Sequence, residues 1–510
     1  MPQPTQLQAK LSTEPQPHIK PIRFLLLGAF QDWGRAEFVC AVDVEPQRSS
    51  VTQYRDEHFP DVGLLFVPPF TIEMPQSVRN ALDDLAACLG IDCAIIATEP
   101  QSHHAYGMWA IQAGLNVIMD KPHSTRRDAS NYLAEAFCIA KDFDEFDRRN
   151  HPVHVETFKR IRDIAERTGC LVTNVATTHC DGQWRFPVEM VNQSYHGGYH
   201  YLDMLYKYIK AGWTEGKQPD KAEIISSFIM PNGINKTAIH EDYVRLFGPE
   251  YEEKFGKYTS EEIKAKLEEA GEYDSNIQVT FFRDEEPVSI AMLNMLHNGF
   301  SRRTRVDMGN DSEQWYHGTG RCKHETHEIR SGPFQTVIQE ARRAIDNKAE
   351  CPVLGKPVIG AYDNFDCHVF RNCGLLGEEE PLVSYNLAEC AARHDPEWDP
   401  IYTDNVDKDM LRVMDDAYDF FDGRKSPSDL ISNIDDHSIP AHMMSACYVS
   451  HIRRLRGENP IVTLDLTYTS ALSPDSGHGF AFIREDGGNG KRQSDSTETK
   501  TQAGGACACM

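Results

Sequence analysis

The sequence predicts an α/β protein with an N-terminal parallel sheet and a second domain built on a large mixed or antiparallel open sheet. Short apolar strands alternate with helical segments before about residue 150, and strands of alternating polarity follow it. A chain of 510 residues is also too long for one ordinary core. We expect domains at 21–155 and 156–468, with disordered segments at 1–20 and 469–510.

The strands of the first domain are apolar runs that end in glycine or in a polar residue. PIRFLLLGAF, from Pro21, contains Gly28, and EFVCAVDV places Asp43 near its end. IDCAIIAT ends at Thr98, and GLNVIMD follows the helical segment QSHHAYGMWAIQA and leads to Lys121. Strands that alternate with helices in this way form parallel sheets with right-handed crossovers.

The second domain opens with an amphipathic helical segment, FKRIRDIAERTG, which Gly169 ends. The runs CLVTNVATTH, AEIISSFIM, NIQVTFF and VSIAMLNML then alternate in polarity, as strands with one exposed face do. Helical periodicity returns at 405–456, and NPIVTLDL predicts a late strand.

Charge and cysteine content limit the classes of function. The 77 acidic and 52 basic residues give a formal charge of -25, which disfavours nucleic-acid binding. No apolar run approaches the roughly 18 residues that span a bilayer, and the 14 dispersed cysteines favour a reduced, cytoplasmic protein. A C-a-a-X prenylation box begins at Cys507, but the tail before it is not polybasic. A cytoplasmic protein without an integral membrane segment is therefore the favoured prediction.

Ligands of an open parallel sheet bind beyond the carboxyl ends of its strands. Gly28, Asp43, Thr98 and Lys121 each follow one of the predicted strands, so we expect them to face one crevice. A glycine lets the backbone approach a pyrophosphate, and an acid after the second strand accepts hydrogen bonds from a ribose diol. The pattern therefore predicts a dinucleotide site.

Three segments together resemble one family. LLLGAF…AVDV, AIIATEPQSHHAYGMWAIQAGLNVIMDKP and HGGYHYLDML are similar to the glucose-fructose oxidoreductase and inositol dehydrogenase family, Gfo/Idh/MocA, most closely from Ile91 to Pro122. Asp120 and Glu99 stand where the family usually has Glu and Pro. The resemblance implies a Rossmann domain joined to an α/β domain with a large open sheet, a bound NAD or NADP, and a homo-oligomer. It also implies oxidation of a sugar or cyclic polyol hydroxyl in a small-molecule substrate.

The resemblance also assigns roles in the first domain. Lys121 would lie near nicotinamide and substrate, where its cation stabilises the oxygen that loses its proton as hydride leaves. Pro122 would set the backbone, since the Lys-Pro peptide is typically cis in the family. The implied cofactor-binding residues are Gly28, Asp43, Thr98, His103, Asp120, Lys121 and Pro122. The alternative is a surface lysine followed by a turn proline.

The segment SYHGGYHYLDML carries the second set of implied roles. Against the family pattern D-x-G-x-H-x-x-D, Gly198, His200 and Asp203 match, whereas His196 replaces the first acid. His200 is the candidate general base, because imidazole titrates near neutral pH. His196 is expected to hydrogen-bond a substrate hydroxyl, and Asp203 to orient the site. A satisfied structural histidine is the alternative for His200.

Two further groups of polar residues leave alternatives open. Trp184 and Arg185, in THCDGQWRFP with His179 and Asp181, are candidate pocket residues, or else a core tryptophan beside a solvated arginine. The second group could ligate zinc, and its members are His317, Cys322, His324 and His327. Their spacing matches no standard zinc finger, so we expect no metal there.

The first crossover conflicts with a standard dinucleotide fold. Asp43 follows Gly28 by only 15 positions, so a helix of about 10 residues barely fits, and GAFQDWG lacks the G-x-G-x-x-G arrangement. A ligand-sensing or regulatory binding protein is therefore a second class of function. Asp43 favours NAD, because a carboxylate repels a 2′-phosphate, whereas Arg48 nearby could accommodate NADP.

Overall fold

A computed structural model describes most of the chain between residues 22 and 467. The described ranges are 22–27, 36–98, 100–119, 152–181, 198–230, 271–272, 274–296, 322–344, 363–394, 415–426 and 434–467, with isolated positions at 129, 132, 133, 136, 233 and 245. These residues form two sheets with helices packed against them, which confirms the predicted fold class. Within these ranges no helix is long and apolar enough to cross a bilayer.

The first sheet contains five parallel strands among the described residues, in the order β3-β2-β1-β4-β5. The strands are β1 (Ile22–Leu27), β2 (Ala36–Val44), β3 (Gly63–Val67), β4 (Cys93–Ile96) and β5 (Asn116–Met119). The helices that connect them are α1 (Arg48–His58), α2 (Gln76–Leu89) and α3 (Pro100–Gln112). Phe24, Leu25 and Leu26 are all buried, because both faces of this sheet are covered.

The connection between β1 and β2 is unusually short. The two strands are hydrogen-bonded neighbours, with Ile22 beside Ala36, and only eight positions separate Leu27 from Ala36. Eight helical residues would cover about 12 Å, whereas the connection must return along a strand about 17 Å long. The number of residues between the two strands is therefore smaller than the usual crossover helix requires.

The second sheet contains nine strands within the described ranges, in the order β13-β12-β11-β10-β6-β9-β8-β7-β14. Neighbouring strands are antiparallel except for β6 and β9, which are parallel. The strands are β6 (Asn174–Asp181), β7 (Lys221–Ile229), β8 (Asp274–Arg283), β9 (Glu286–Leu296), β10 (Cys322–Ser331), β11 (Gln335–Ala344), β12 (Asp363–Arg371), β13 (Leu382–Asn386) and β14 (Val462–Asp465).

Helices cover one face of this sheet. The helices of this part of the chain are α4 (Pro152–Thr168), α5 (Tyr199–Ala211), the four-residue α6 (Cys373–Leu376), α7 (Leu387–His394), α8 (415–421) and α9 (Ile434–Leu455). Along β9 the inward side chains of Ala291 and Leu293 are fully buried, whereas Ile290 and Met292 on the other face are exposed. This alternation of buried and exposed side chains explains why the sequence of the second domain predicts strands with one exposed face.

Helix α8 packs on the first sheet although it follows the second sheet in the chain. Tyr418 and Phe421 meet the ring of Phe24 edge-on, with ring centres 6.4 and 6.3 Å apart. Such edge-to-face pairs stabilise beyond the area they bury. We therefore propose that the first domain includes this segment in addition to residues 21–155.

Candidate functional site

Asp43 lies at the carboxyl end of β2, where its side chain is half-buried. Its Oδ1 accepts a hydrogen bond from the backbone N–H of Val44 at 2.7 Å. Burial raises the pKa of Asp43, and this hydrogen bond partly offsets the rise. Burial, and then the charge of Asp43, raise the pKa of the Tyr106 phenol on α3. One carboxylate therefore lies at the strand end where a ribose diol would bind.

An arginine and a glutamate follow Asp43 within five residues of the chain. Arg48 donates from Nε to Glu45 Oε2 at 2.9 Å and from Nη2 to Glu45 Oε1 at 2.7 Å. Its guanidinium also lies over Phe66, 4.2 Å from the ring centre, and Phe66 is the register neighbour of Asp43. The one cation described at this strand end is thus already paired with an acid.

Thr98 and His103 connect the end of β4 to α3. The Thr98 and Ser102 hydroxyls are 2.9 Å apart, and His103 Nε2 lies 2.8 Å from the Thr98 carbonyl oxygen. A carbonyl can only accept, so Nε2 carries the proton. His103 is 1% exposed, and its hydrogen bond holds the first turn of α3 against the strand end. This local role is separate from the predicted contact with a cofactor.

Helix α5 begins at the expected histidine and glycine. Gly198 precedes the helix, and His200 lies half-buried in its first turn. Asp203 is 1% exposed, and its Oδ1 lies 3.8 Å from Nδ1 of His437 on α9. The same nitrogen is 2.8 Å from the hydroxyl of Tyr199. These contacts favour the orienting role of Asp203, and they identify His437 as a residue that sequence reasoning missed.

A buried polar group lies under α5, and we call it the Glu325 cluster: Thr177, His179, Tyr201, Glu325 and His327. Tyr201 donates to Glu325 Oε2 at 2.9 Å, and its hydroxyl is 2.5 Å from His179 Nδ1. His327 Nε2 is 2.8 Å from Glu325 Oε1, and its Nδ1 is 3.0 Å from the hydroxyl of Thr177.

One proton assignment satisfies the whole Glu325 cluster. His179 Nδ1–H donates to the Tyr201 oxygen, Tyr201 donates to Glu325, and His327 Nε2–H donates to the other carboxylate oxygen. The Thr177 hydroxyl then donates to His327 Nδ1. In this direction of bonding both carboxylate oxygens of Glu325 accept a hydrogen bond, as a carboxylate does. The cluster holds α5 to the second sheet through Tyr201, the residue that follows His200.

The histidines of β10 lie on opposite faces of the sheet. His327 points into the Glu325 cluster, whereas His324 is half-exposed and lies 4.0 Å from Glu340. Residues an odd number of positions apart in a strand face opposite ways, so these two cannot share one ion. Within the described ranges, no group of three or more His, Cys, Asp or Glu side chains could hold a metal ion.

The first sheet matches a known family. Residues 25–139 fit the family model GFO_IDH_MocA, described as the oxidoreductase family, NAD-binding Rossmann fold. Over these residues the chain resembles the Gfo/Idh/MocA oxidoreductase family. The matched residues include the strand ends that carry Asp43 and Thr98, and they confirm the resemblance noted in the sequence.

Solved structures with similar folds are distant in sequence. An oxidoreductase from Sinorhizobium meliloti is 13% identical with a TM-score of 0.47, covering 86% of this chain and 99% of that chain. An oxidoreductase from Agrobacterium radiobacter in complex with NAD+, L-tartaric acid and magnesium is 13% identical, with a TM-score of 0.46 and coverages of 88% and 99%. The super-repressor mutant of Gal80p from Saccharomyces cerevisiae is 12% identical, with a TM-score of 0.47 and the same coverages. A comparison with curated proteins gave no match.

The structure describes only part of the predicted site. Asp43, Thr98, His103, His200 and Asp203 are described, and their roles toward cofactor and substrate stay predictions. The predicted site residues outside the described ranges are Gly28, Asp120, Lys121, Pro122, Trp184, Arg185 and His196, and Cys507 and His317 also lie outside them.

The described edge of the first sheet fits one half of a nicotinamide dinucleotide better than the other. Asp43 supplies the acceptor that a ribose diol requires. Eight positions separate β1 from β2, fewer than the about 10 residues of the usual crossover helix whose N-terminus faces the pyrophosphate. Among the described residues, the partner predicted for a dinucleotide at this edge is therefore one for the ribose, Asp43.

Proposed function

We propose that this chain is an NAD(P)-dependent oxidoreductase that transfers hydride between nicotinamide and a hydroxyl or carbonyl carbon. Its substrate would be a sugar, a cyclic polyol or a related hydroxylated metabolite. The observation that supports this proposal most is Asp43, half-buried at the carboxyl end of β2 in a sheet that matches the NAD-binding domain of the family. A homo-oligomer is part of the same proposal by family likeness, and a cytoplasmic location by the dispersed cysteines.

In this proposal two side chains act on the substrate. The bound nicotinamide supplies the hydride acceptor or donor. His200 removes the hydroxyl proton, and Lys121 stabilises the oxygen as negative charge develops on it. The described contacts support the first role, because Tyr199 and Asp203 hold α5 to α9 and Tyr201 holds it to the sheet. A base whose helix is anchored on two sides keeps a constant direction toward its substrate.

The test is a dehydrogenase screen over sugars, inositols and other hydroxylated metabolites with both NAD+ and NADP+. We expect one substrate class to give turnover, and His200→Ala and Lys121→Ala each to lower kcat by about 10²–10⁴-fold. The control variants are His58→Ala and Lys159→Ala, since both residues are exposed on helices. Near-normal turnover in His200→Ala or Lys121→Ala would mean that the site is elsewhere.

The short connection between β1 and β2 favours a second candidate, a ligand-sensing or regulatory binding protein. A chain that cannot hold the pyrophosphate would keep a sugar pocket without catalysing hydride transfer. Calorimetric titration separates the two functions. Binding of a sugar or polyol with no binding of NAD+ or NADP+ supports the sensor, and tight NAD+ binding with turnover excludes it.

A further inference from the structure

The acidic residue that pairs with Arg48 suggests how this chain selects its cofactor. We propose that Glu45 makes the site selective for a nicotinamide dinucleotide with a free 2′-hydroxyl, because it withholds Arg48 from a 2′-phosphate. This inference rests on the proposed function, and it adds to Asp43 a second residue that determines cofactor specificity.

The local chain path places the three charged groups together. Strand β2 ends at Val44, a 3₁₀ turn covers Glu45–Gln47, and Arg48 begins α1. Glu45 and Arg48 are therefore one turn apart and on the same side of the chain. Both carboxylate oxygens of Glu45 accept from the guanidinium, at 2.7 and 2.9 Å, in a bidentate pair.

The ring of Phe66 connects this pair to the strand position that neighbours Asp43. Phe66 on β3 is the register neighbour of Asp43 on β2, and neighbouring strands lie about 4.8 Å apart. The Arg48 guanidinium stacks over that ring, with its central carbon 4.2 Å from the ring centre. The arginine is therefore held over the side chain that neighbours Asp43 in register, and we infer that it can reach a 2′-substituent of a ribose bound at Asp43.

The charges at this strand end oppose a phosphate. Asp43 and Glu45 carry two negative charges against the one positive charge of Arg48, so the local sum is -1. A 2′-phosphate would add further negative charge beside Asp43, whereas a 2′-hydroxyl would donate a hydrogen bond to it. An arginine that accommodates a 2′-phosphate needs free N–H groups facing the ligand, and here Glu45 takes two of them.

Removing Glu45 should therefore release an arginine that is already in place. The pair is solvent-exposed, with 56% of the Arg48 side chain and 48% of the Glu45 side chain accessible, so its loss should leave the fold unchanged. In Glu45→Gln we expect NADP+ to bind about 3–10-fold more tightly while NAD+ binding changes by less than about twofold.

The experiment is calorimetric titration of the full chain with NAD+ and with NADP+. The variants are Glu45→Gln, Arg48→Ala, their double mutant, and the control Glu57→Gln, an exposed acid on α1 whose partner is Gln53. The proposal predicts that the unchanged chain prefers NAD+. It also predicts that Glu45→Gln gains NADP+ affinity, that adding Arg48→Ala removes this gain, and that the control behaves like the unchanged chain.

Two results would overturn the proposal while leaving the proposed function intact. One is an unchanged chain that binds NADP+ as well as NAD+, and the other is a gain in Glu45→Gln that persists without Arg48. A chain that binds neither nucleotide would refute the proposed function, and the inference with it. The titrations with NAD+ and NADP+ therefore distinguish an error in the specificity residue from an error in the proposed function.

Discussion

Replacing Glu325 tests whether the buried cluster under α5 holds this part of the fold together. In Glu325→Leu the Tyr201 hydroxyl and the His327 Nε2–H both lose their acceptor, at sites that are 1% exposed. Each unsatisfied buried donor costs about 1–3 kcal/mol, so the free energy of unfolding should fall by about 2–6 kcal/mol. Leucine nearly fills the volume of glutamate, so the cavity contribution is small.

The expected cost of Glu325→Gln is smaller, about 1–2 kcal/mol. The amide oxygen can accept from Tyr201, and the amide N–H₂ can donate to His327 Nε2 if that imidazole changes its tautomer. His327 Nδ1–H then donates to the Thr177 hydroxyl, which is 3.0 Å away. The order of destabilisation, leucine above glutamine, is therefore a consequence of the assigned hydrogen-bond directions.

The assay is denaturant unfolding of both variants beside Glu328→Leu. Glu328 is on the same strand but on the outer face, where it pairs with exposed Arg330. Such a surface substitution should change the free energy of unfolding by no more than about 0.5 kcal/mol. If Glu325→Leu were no less stable than Glu328→Leu, relief of carboxylate burial would outweigh the lost hydrogen bonds, and the assigned role of the cluster would be wrong.

Two further predictions concern packing and acid stability. A Cβ at Gly212 would lie 2.8 Å from the backbone nitrogen of Val172, whereas one at Gly107 would meet only the flexible end of Met119. Gly212→Ala should therefore lower the free energy of unfolding by about 1–3 kcal/mol, and Gly107→Ala by much less; equal unfolding midpoints would contradict this. Burial lowers the pKa of His451 to about 4. Because the pKa of this histidine in the unfolded chain is higher, near 6.5, its contribution to the free energy of unfolding is present above pH 6.5 and lost as pH falls toward 4. Between pH 6.5 and 4 the free energy of unfolding should therefore fall less in His451→Gln than in the unchanged chain. The same pH dependence in both proteins would refute the lowered pKa of His451.

The sequence predicted the first sheet well where strands are uninterrupted apolar runs. β1, β2, β4 and β5 all came from such runs. β3, GLLFV, was not assigned, because it is only five residues long, begins with Gly63 and is followed closely by two prolines. The short link after Gly28 was apparent from the count of residues alone. Its consequence for β1 and β2 became clear only when register placed Ile22 beside Ala36.

The contacts around α5 could not be predicted, because they depend on register between distant strands. β10 pairs with β6 so that Glu325 lies opposite His179, 146 residues away in the chain. Alternation along KHETHEIRS shows that positions 325 and 327 share a face, and this signal argues against the zinc grouping of His324 with His327. It does not reveal their partners. His437 is 238 residues from Tyr199, and no motif connects them.

Titrating NAD+ into the unchanged chain and into Asp43→Ala tests whether the carboxyl edge of the first sheet binds a nicotinamide dinucleotide through its ribose. We expect saturable binding to the unchanged chain and affinity lower by about tenfold in the variant, because a charged hydrogen-bond acceptor is lost. Absence of NAD+ binding to the unchanged chain, or equal affinity in the two proteins, would contradict it.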